Sequence, residues 1–230
     1  INSRYSKEEI DATISEEFDV YEKTQSIDFM LLETYMREWE KENGIECGWG
    51  RGSVTGSEIA YALGITGMDS KKFGLNFFRF MNPDRVTNAD IDTDYASVDR
   101  DKVKEFLLRD RMNLPQIRTS EIITFNTIAV KGAIRDIGRA LGIPLAEVGE
   151  ICAKVENDEI PAQLRAEYPE LFEYVDIVTG TIVSIGTHPS GVLVSDLEIE
   201  KLIGMCTTST SDYPISMLNM KELDALMYVK

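Results

Sequence analysis

Cysteine, histidine and long apolar runs are what this 230-residue sequence has least of. Cys47, Cys152 and Cys206 lie far apart and form no CxxC pair, which argues against a disulfide scaffold and fits the reducing cytoplasm. No stretch is apolar for long enough to span a bilayer and no signal peptide is visible, so a cytoplasmic chain with no membrane partner is expected. Basic residues are scarce as well. Lys and Arg total 24 against 40 for Asp and Glu, a difference of 16 that gives the formal charge of -16. That balance excludes a generic DNA-coating surface; nucleic-acid contact has to come from local basic patches, and divalent cations would offset part of the charge. His188, the single histidine, stands beside Pro189 and receives no role. Internal repeats and low-complexity segments are also missing. The hydrophobic fraction of 43% is enough for a packed core, and the length suits one large domain or two small ones. The first residue is Ile1 and the last six, "ALMYVK", form an apolar run without a closing turn, so a piece cut from a larger protein is expected.

Hydrophobic spacing organises the rest. Residues 6–19 read as an acidic helix. Ile27, Met30, Leu31, Tyr35 and Trp39 recur at helical spacing across 25–43, and Asn43-Gly44 stops that helix. "GIECGWGRGS" reads as a short strand running into a glycine-rich turn, "SEIAYALG" as a helix, and "FGLNFFRFMNPDRV" as a short helix broken at Asn82-Pro83. "VTNADIDTDYA" reads as a strand, and 98–110 as a mixed-charge helix. From about residue 119, "SEIITFNTIAVKGAIRDIGRALG", "PLAEVGEICAKV" and "PELFEYVDIVTGTIVSIG" all read as helices, before "SGVLVSD" returns to β character and "ALMYVK" makes a final strand. The expectation is an α+β domain with a mixed sheet, interrupted by an inserted all-helical subdomain: 1–118, then 119–186, then 187–230.

Three features carry chemistry. Asp90, Asp92 and Asp94 alternate along "NADIDTDYA", so on a strand their carboxylates share one face and repel unless something positive sits there. Carboxylates at i and i+2 can share two Mg²⁺ ions, the arrangement that serves phosphoryl transfer. A solvated acidic edge strand is the plain alternative. A calcium loop is disfavoured, because Tyr95 stands where it needs glycine and Asp101 where it needs glutamate. Second, Gly50, Gly52, Ser53 and Gly56 lie where a turn enters a helix; backbone N–H groups there, with Arg51, suit a phosphate, although such glycines also serve plain turns. The spacing is neither a Walker A loop nor GxGxxG. Third, Lys131, Arg135 and Arg139 fall at i, i+4 and i+8 on one helix face, with Gly132 and Gly138 keeping the helix slim. This stripe suits a phosphate backbone, or is a solvated face paired with Asp136.

Together these blocks resemble one family, the bacterial replicative DNA polymerase III alpha subunits, which are C-family polymerases. The family's "GRGS" loop stands as "GWGRGSVTGSEIAYALGIT", its "RFLNPER" as "RFMNPDR" (79–85), and its "PDIDIDF" strand as "ADIDTDY" (89–95). Its "IITFGTMAAKAAIRDVGR" helix stands as "IITFNTIAVKGAIRDIGR" (122–139), and its "HxxGVVIS" strand as "HPSGVLVS" (188–195). The resemblance implies a beta-like nucleotidyltransferase palm with a helical thumb inserted in it. It implies metal binding and catalysis by Asp92 and Asp94, with Asp90 less directly at the metals. It also implies triphosphate binding by Gly52 and Ser53 with Arg51 and Arg85, and duplex contact by Lys131, Arg135 and Arg139. The cofactor implied is Mg²⁺, two ions. The partners implied are primer-template DNA and deoxynucleoside triphosphates, with a sliding clamp and other replisome subunits for the full-length protein. Ala89 replaces the family's Pro, and Tyr95 its Phe. Lys230 matches the lysine of a "K-x-D" motif whose aspartate would be the third catalytic carboxylate, so the fragment alone is expected to be inactive. Another metal-dependent nucleotidyltransferase or phosphohydrolase, or a non-catalytic scaffold relative, is the alternative.

Overall fold

A computed structural model describes residues 5–84, 90–209 and 211–226. Along the chain run α1 (Lys7–Lys23), α2 (Ile27–Glu42), α3 (Glu58–Ala62), α4 (Ser70–Phe73), α5 (Ser97–Leu108), β1 (Arg118–Thr127), α6 (Val130–Ala140), α7 (Leu145–Ala153), α8 (Ala162–Glu167), α9 (Pro169–Val178), β2 (Ile182–Ser195), α10 (Ile199–Leu202), β3 (Met205–Cys206), β4 (Ile215–Asn219) and α11 (Met220–Ala225). The strands are ordered β2-β1-β4-β3, with β3 and β4 antiparallel. The chain divides into two compact units, residues 1–122 with 188–230, and residues 123–187.

In the first unit, α1 starts at a capping box in which Ser6 accepts from the Glu9 N–H and Glu9 accepts from the Ser6 N–H. Tyr21 from α1 and Met30 from α2 pack with Val54, Phe77 and Phe80 into one core cluster. A second cluster joins α2 to α5: Met36, Val103, Phe106 and Met112 are buried, and Trp39 stacks flat on Phe106 with ring centroids 3.8 Å apart. A third cluster gathers Ile122, Leu193, Ile199 and Leu223 around the sheet. Leu31, expected on the buried stripe of α2, is instead exposed, while Arg37 and Glu40 of the same helix are buried.

In the second unit, α6, α7 and α9 pack around Ala133, Ile134, Val148, Ile151, Leu171, Phe172 and Val175. A Cβ on Gly138 would stand 2.7 Å from Val148 Cγ2, so this glycine is there to let α6 and α7 approach, not to thin an outer face. The insertion expected over 119–186 is not all helical. Residues 118–127 form β1 and 182–195 form β2, each running across a boundary of the second unit, where helix was expected over "SEIITFNT" and "TGTIVSIG". Thr119, Ile122, Ile123, Phe125 and Thr127, like Ile182, Val183 and Ile185, are the β-branched and aromatic residues that suit a pleated surface. Gly180, at φ +83°, follows the end of α9 and frees the chain to leave it. Within this unit Asn126 Nδ2 donates to Ser184 Oγ at 3.1 Å and the Gly180 N–H donates to the Ile128 carbonyl at 2.9 Å, which ties the ends of the insertion together.

Two further expectations change. The acidic stretch is not a ladder strand: residues 90–95 make isolated bridges only, Arg51 with Asp92 and Cys47 with Tyr95. "FGLNFFRFMNPDRV" is not one helix; α4 ends at Phe73 and a single 3-10 turn covers Phe77–Arg79. The final strand expected over "ALMYVK" falls mainly on residues 227–230, outside the described residues, and Ala225 closes α11.

Candidate active site

The glycine-rich turn and the acidic segment lie side by side. Gly48 donates its N–H to the Asp94 carbonyl at 2.8 Å, and a Cβ on Gly48 would come within 3.3 Å of Asp94 Cβ, so the two backbones approach as closely as glycine permits. Gly50 has φ +118°, and a side chain there would meet Thr66 Oγ1 at 2.3 Å. Loop 64–67 braces the turn from behind, since the Gly67 N–H and Thr66 Oγ1 both donate to the Trp49 carbonyl, at 2.7 and 2.8 Å.

This placement brings Arg51 onto the alternating acids. Its Nη2 stands 3.0 Å and its Nε 3.3 Å from Asp92 Oδ2, while Nη1 reaches Asp94 Oδ1 at 3.3 Å. The positive group that the acidic alternation requires is therefore, in this structure, the guanidinium of the turn. Hydrogen bonding to Asp92, then the charges of Asp92 and Asp94, hold it protonated more firmly still. All three side chains are open to solvent, at 60% for Arg51, 48% for Asp92 and 62% for Asp94, so water and salt screen the contact and another cation can compete for the carboxylates.

The other sequence-predicted residues divide. Gly52 precedes the 3-10 turn Ser53–Gly56 and is exposed; Ser53 is half-buried. The start of α3, read from the sequence as a phosphate site, is already filled. The buried Glu17 carboxylate accepts from Ser57 Oγ at 2.7 Å and from the N–H groups of Glu58 and Ile59 at 2.9 and 3.0 Å, and Ser57 Oγ accepts from the Ala60 N–H. Burial pushes the Glu17 carboxyl up and these hydrogen bonds pull it back part of the way. Asp90 lines the same cavity as Asp92 and Asp94, and among the described residues no three His, Cys, Asp or Glu side chains are grouped to hold an ion. Arg85 lies outside the described residues. In the second unit α6 carries Lys131, Arg135 and Arg139; Arg139 pairs with Asp136 at 3.1 Å, whereas Lys131 and Arg135 have no ion-pair partner among the described residues.

A cavity of about 650 Å³ in the first unit is lined by Arg51, Asp92 and Asp94 and reaches Arg37, Lys104 and His188. His188 Nδ1 accepts from the Gly191 N–H at 2.7 Å, a local contact within β2. Sequence reasoning missed the floor of this cavity. Tyr95 Oη accepts from Arg37 Nη2 at 2.8 Å and donates to Glu40 Oε1 at 2.5 Å, and Arg37 Nη1 stands 2.9 Å from Glu40 Oε2. The signal was present in the acidic motif itself, where Tyr95 replaces the Phe of the family pattern.

The family model described as bacterial DNA polymerase III alpha NTPase domain matches residues 1–230. The DNA polymerase III subunit alpha of Ureaplasma parvum is 36% identical over 226 residues, covering 93% of this chain and 23% of that protein. Those of Vibrio cholerae and Escherichia coli K12 are 32% and 31% identical, each covering 96% of this chain and 20% of the relative. The chain thus spans about a fifth of the length of the curated relatives it matches.

Proposed function

The chain belongs to the bacterial DNA polymerase III alpha NTPase domain family, and from that premise we propose that it is the palm and inserted thumb of a replicative DNA polymerase, transferring nucleotides from deoxynucleoside triphosphates to a primer 3′-hydroxyl. The palm is the α+β unit with the mixed sheet, and the thumb is the unit carrying α6. One observation supports this best: a cationic, glycine-lined turn bears directly on Asp92 and Asp94. Two exposed carboxylates are hard oxygen donors, and Mg²⁺ takes one or two of these together with water and substrate phosphates, so Asp92 and Asp94 fit it, with the third carboxylate expected from the full-length protein. When bound, two such ions activate the attacking oxygen and stabilise the leaving pyrophosphate.

The protein's own part is arrangement of charge. Arg51 counters Asp92 and Asp94 while no cation does. Were cations to hold the carboxylates, its guanidinium would be released to serve a triphosphate beside Gly52 and Ser53, as a planar donor suited to phosphate oxygens. Lys131, Arg135 and Arg139 lie along the backbone of primer-template DNA and carry no sequence readout. The sliding clamp and other replisome subunits belong to the full-length protein. The test is primer extension by that full-length protein. Asp92→Ala and Asp94→Ala should each abolish extension with Mg²⁺ and all four nucleotides present. Extension at the unaltered rate would end this reading, and cleavage of nuclease substrates by the unaltered protein without extension would favour a phosphohydrolase.

A further inference from the structure

Residues 90–95 lack a sheet ladder, so something else has to fix the acids at the mouth of the cavity. The segment is pinned at its end. The Tyr95 ring packs against the cluster of Met36, Val103 and Phe106, and its hydroxyl sits between Arg37 and Glu40. The Cys47 thiol also reaches Glu40, and the Cys47 backbone bridges to Tyr95. Arg37 is 9% exposed and Glu40 1%, and among the described residues the Arg37 Nε, Arg37 Nη1 and Glu40 Oε2 atoms have no hydrogen-bond partner, although Arg37 Nη1 and Glu40 Oε2 are ion-paired at 2.9 Å. A buried ion pair of this kind is a poor source of stability, and apolar side chains of like volume would do as well or better. What it supplies is a fixed direction for Tyr95.

We propose that Arg37, Glu40 and Tyr95 form a positioning clamp that sets the Asp94 carboxylate. Neighbouring side chains of an extended chain leave on opposite sides, so seating Tyr95 against the core turns Asp94 toward solvent. The exposures agree, Asp94 being open at 62% and Tyr95 half-buried. This inference rests on the polymerase reading, through the role given to Asp94. Phenylalanine at 95 keeps the ring and suits the family pattern, but it strands Arg37 Nη2 and Glu40 Oε1 in this chain and removes the hydroxyl that fixes the segment.

The full-length protein carrying Tyr95→Phe tests it, beside a control of equal chemistry. Tyr35, on the helix that carries Arg37 and Glu40 and against the same cluster, donates to the Met112 carbonyl at 2.9 Å, so its hydroxyl is committed away from Arg37 and Glu40. Tyr95→Phe should raise the Mg²⁺ concentration for half-maximal extension by about 10-fold, as losing an outer-shell partner does, with the rate at saturating Mg²⁺ kept within about twofold. Free-ion electron paramagnetic resonance during a Mn²⁺ titration, without DNA or nucleotide, should show a matching loss of affinity. Tyr35→Phe should change neither. An unchanged metal requirement in Tyr95→Phe, or an equal change in Tyr35→Phe, overturns the clamp. Asp94→Ala run in parallel separates the two levels: if that variant still extends primers the polymerase reading itself fails, whereas an inactive Asp94→Ala beside an unaffected Tyr95→Phe removes only the clamp.

Discussion

Arg51 and Arg37 each hold oxygen groups of the same short segment, one from the solvent side and one from the core. Arg51 meets Asp92 and Asp94 with all three side chains about half or more exposed. Arg37 meets Tyr95 and Glu40 where its own side chain is 8% exposed and that of Glu40 2%. In water the first contact is screened and exchangeable; in the interior the second cannot be given up without leaving a bare charge. A site that must accept cations and then release product needs the first kind of contact at its reacting edge and the second kind behind it. The two arginines divide those tasks across residues 92–95.

The sharpest way to break this contrast is to remove each arginine separately. Arg37→Met strands the Glu40 carboxylate among apolar neighbours and should cost about 3–5 kcal/mol of unfolding free energy. Urea unfolding followed by Trp39 fluorescence reads it, since Trp39 lies in the same cluster. Arg51→Ala should leave the urea midpoint where it was, because solvent takes over the solvation of Asp92 and Asp94. Equal losses in the two variants would erase the distinction.

The long helices were legible in the sequence: α2 from apolar residues at helical spacing, α6 from its cations at i, i+4 and i+8, and α1 and α5 as acidic and mixed-charge helices. The strands β1 and β2 were not: "EIITF" fits both periods, and the partner that decides for a strand lies some sixty residues away in the chain. The acidic alternation was legible as a need for positive charge, expected to be met by Mg²⁺; Arg51 was expected as a phosphate ligand, and its contact with Asp92 and Asp94 emerges only in the fold. Arg37 and Glu40 were not, because on α2 they alternate with other charged residues and look solvated; only the arrival of Tyr95 from the far end of the motif buries them. Glu17 is a similar case, an acid in an acidic helix whose burial depends on α3.

Glu33 sharpens the contrast from another side. It lies on α2 one turn before Arg37, 3.8 Å away, and burial pushes its carboxyl up to about 7 against Arg37, which pulls it down. A carboxyl raised in the folded state binds its proton more tightly there than when unfolded. The contribution to stability is then full below about 4.5, the ordinary value, and is lost as pH rises through about 7. The loss across that window is up to about 3 kcal/mol, and Glu33→Gln should flatten it. Unfolding curves at pH 4.5 and pH 8 measure this, and a pH-independent difference between Glu33→Gln and the unaltered chain would show that the carboxyl titrates normally.

The smallest effect concerns cations of α6 that have no built-in acid to exchange. On α6, Lys131 and Arg135 are without ion-pair partners among the described residues, whereas Arg139 already holds Asp136 at 3.1 Å. Each cation that displaces a counterion from duplex DNA steepens the log–log salt dependence of binding by about 0.9. Replacing Lys131 and Arg135 together by Ala should therefore flatten the slope of the full-length protein by about 1.8, and Arg139→Ala alone by clearly less than 0.9, because Asp136 competes with phosphate for that guanidinium. Binding to one duplex measured across a salt series distinguishes the two. If the double variant leaves the slope unchanged, α6 does not face DNA; if Arg139→Ala costs a full unit, the Asp136 pair is given up on binding as freely as Arg51 is expected to give up Asp92.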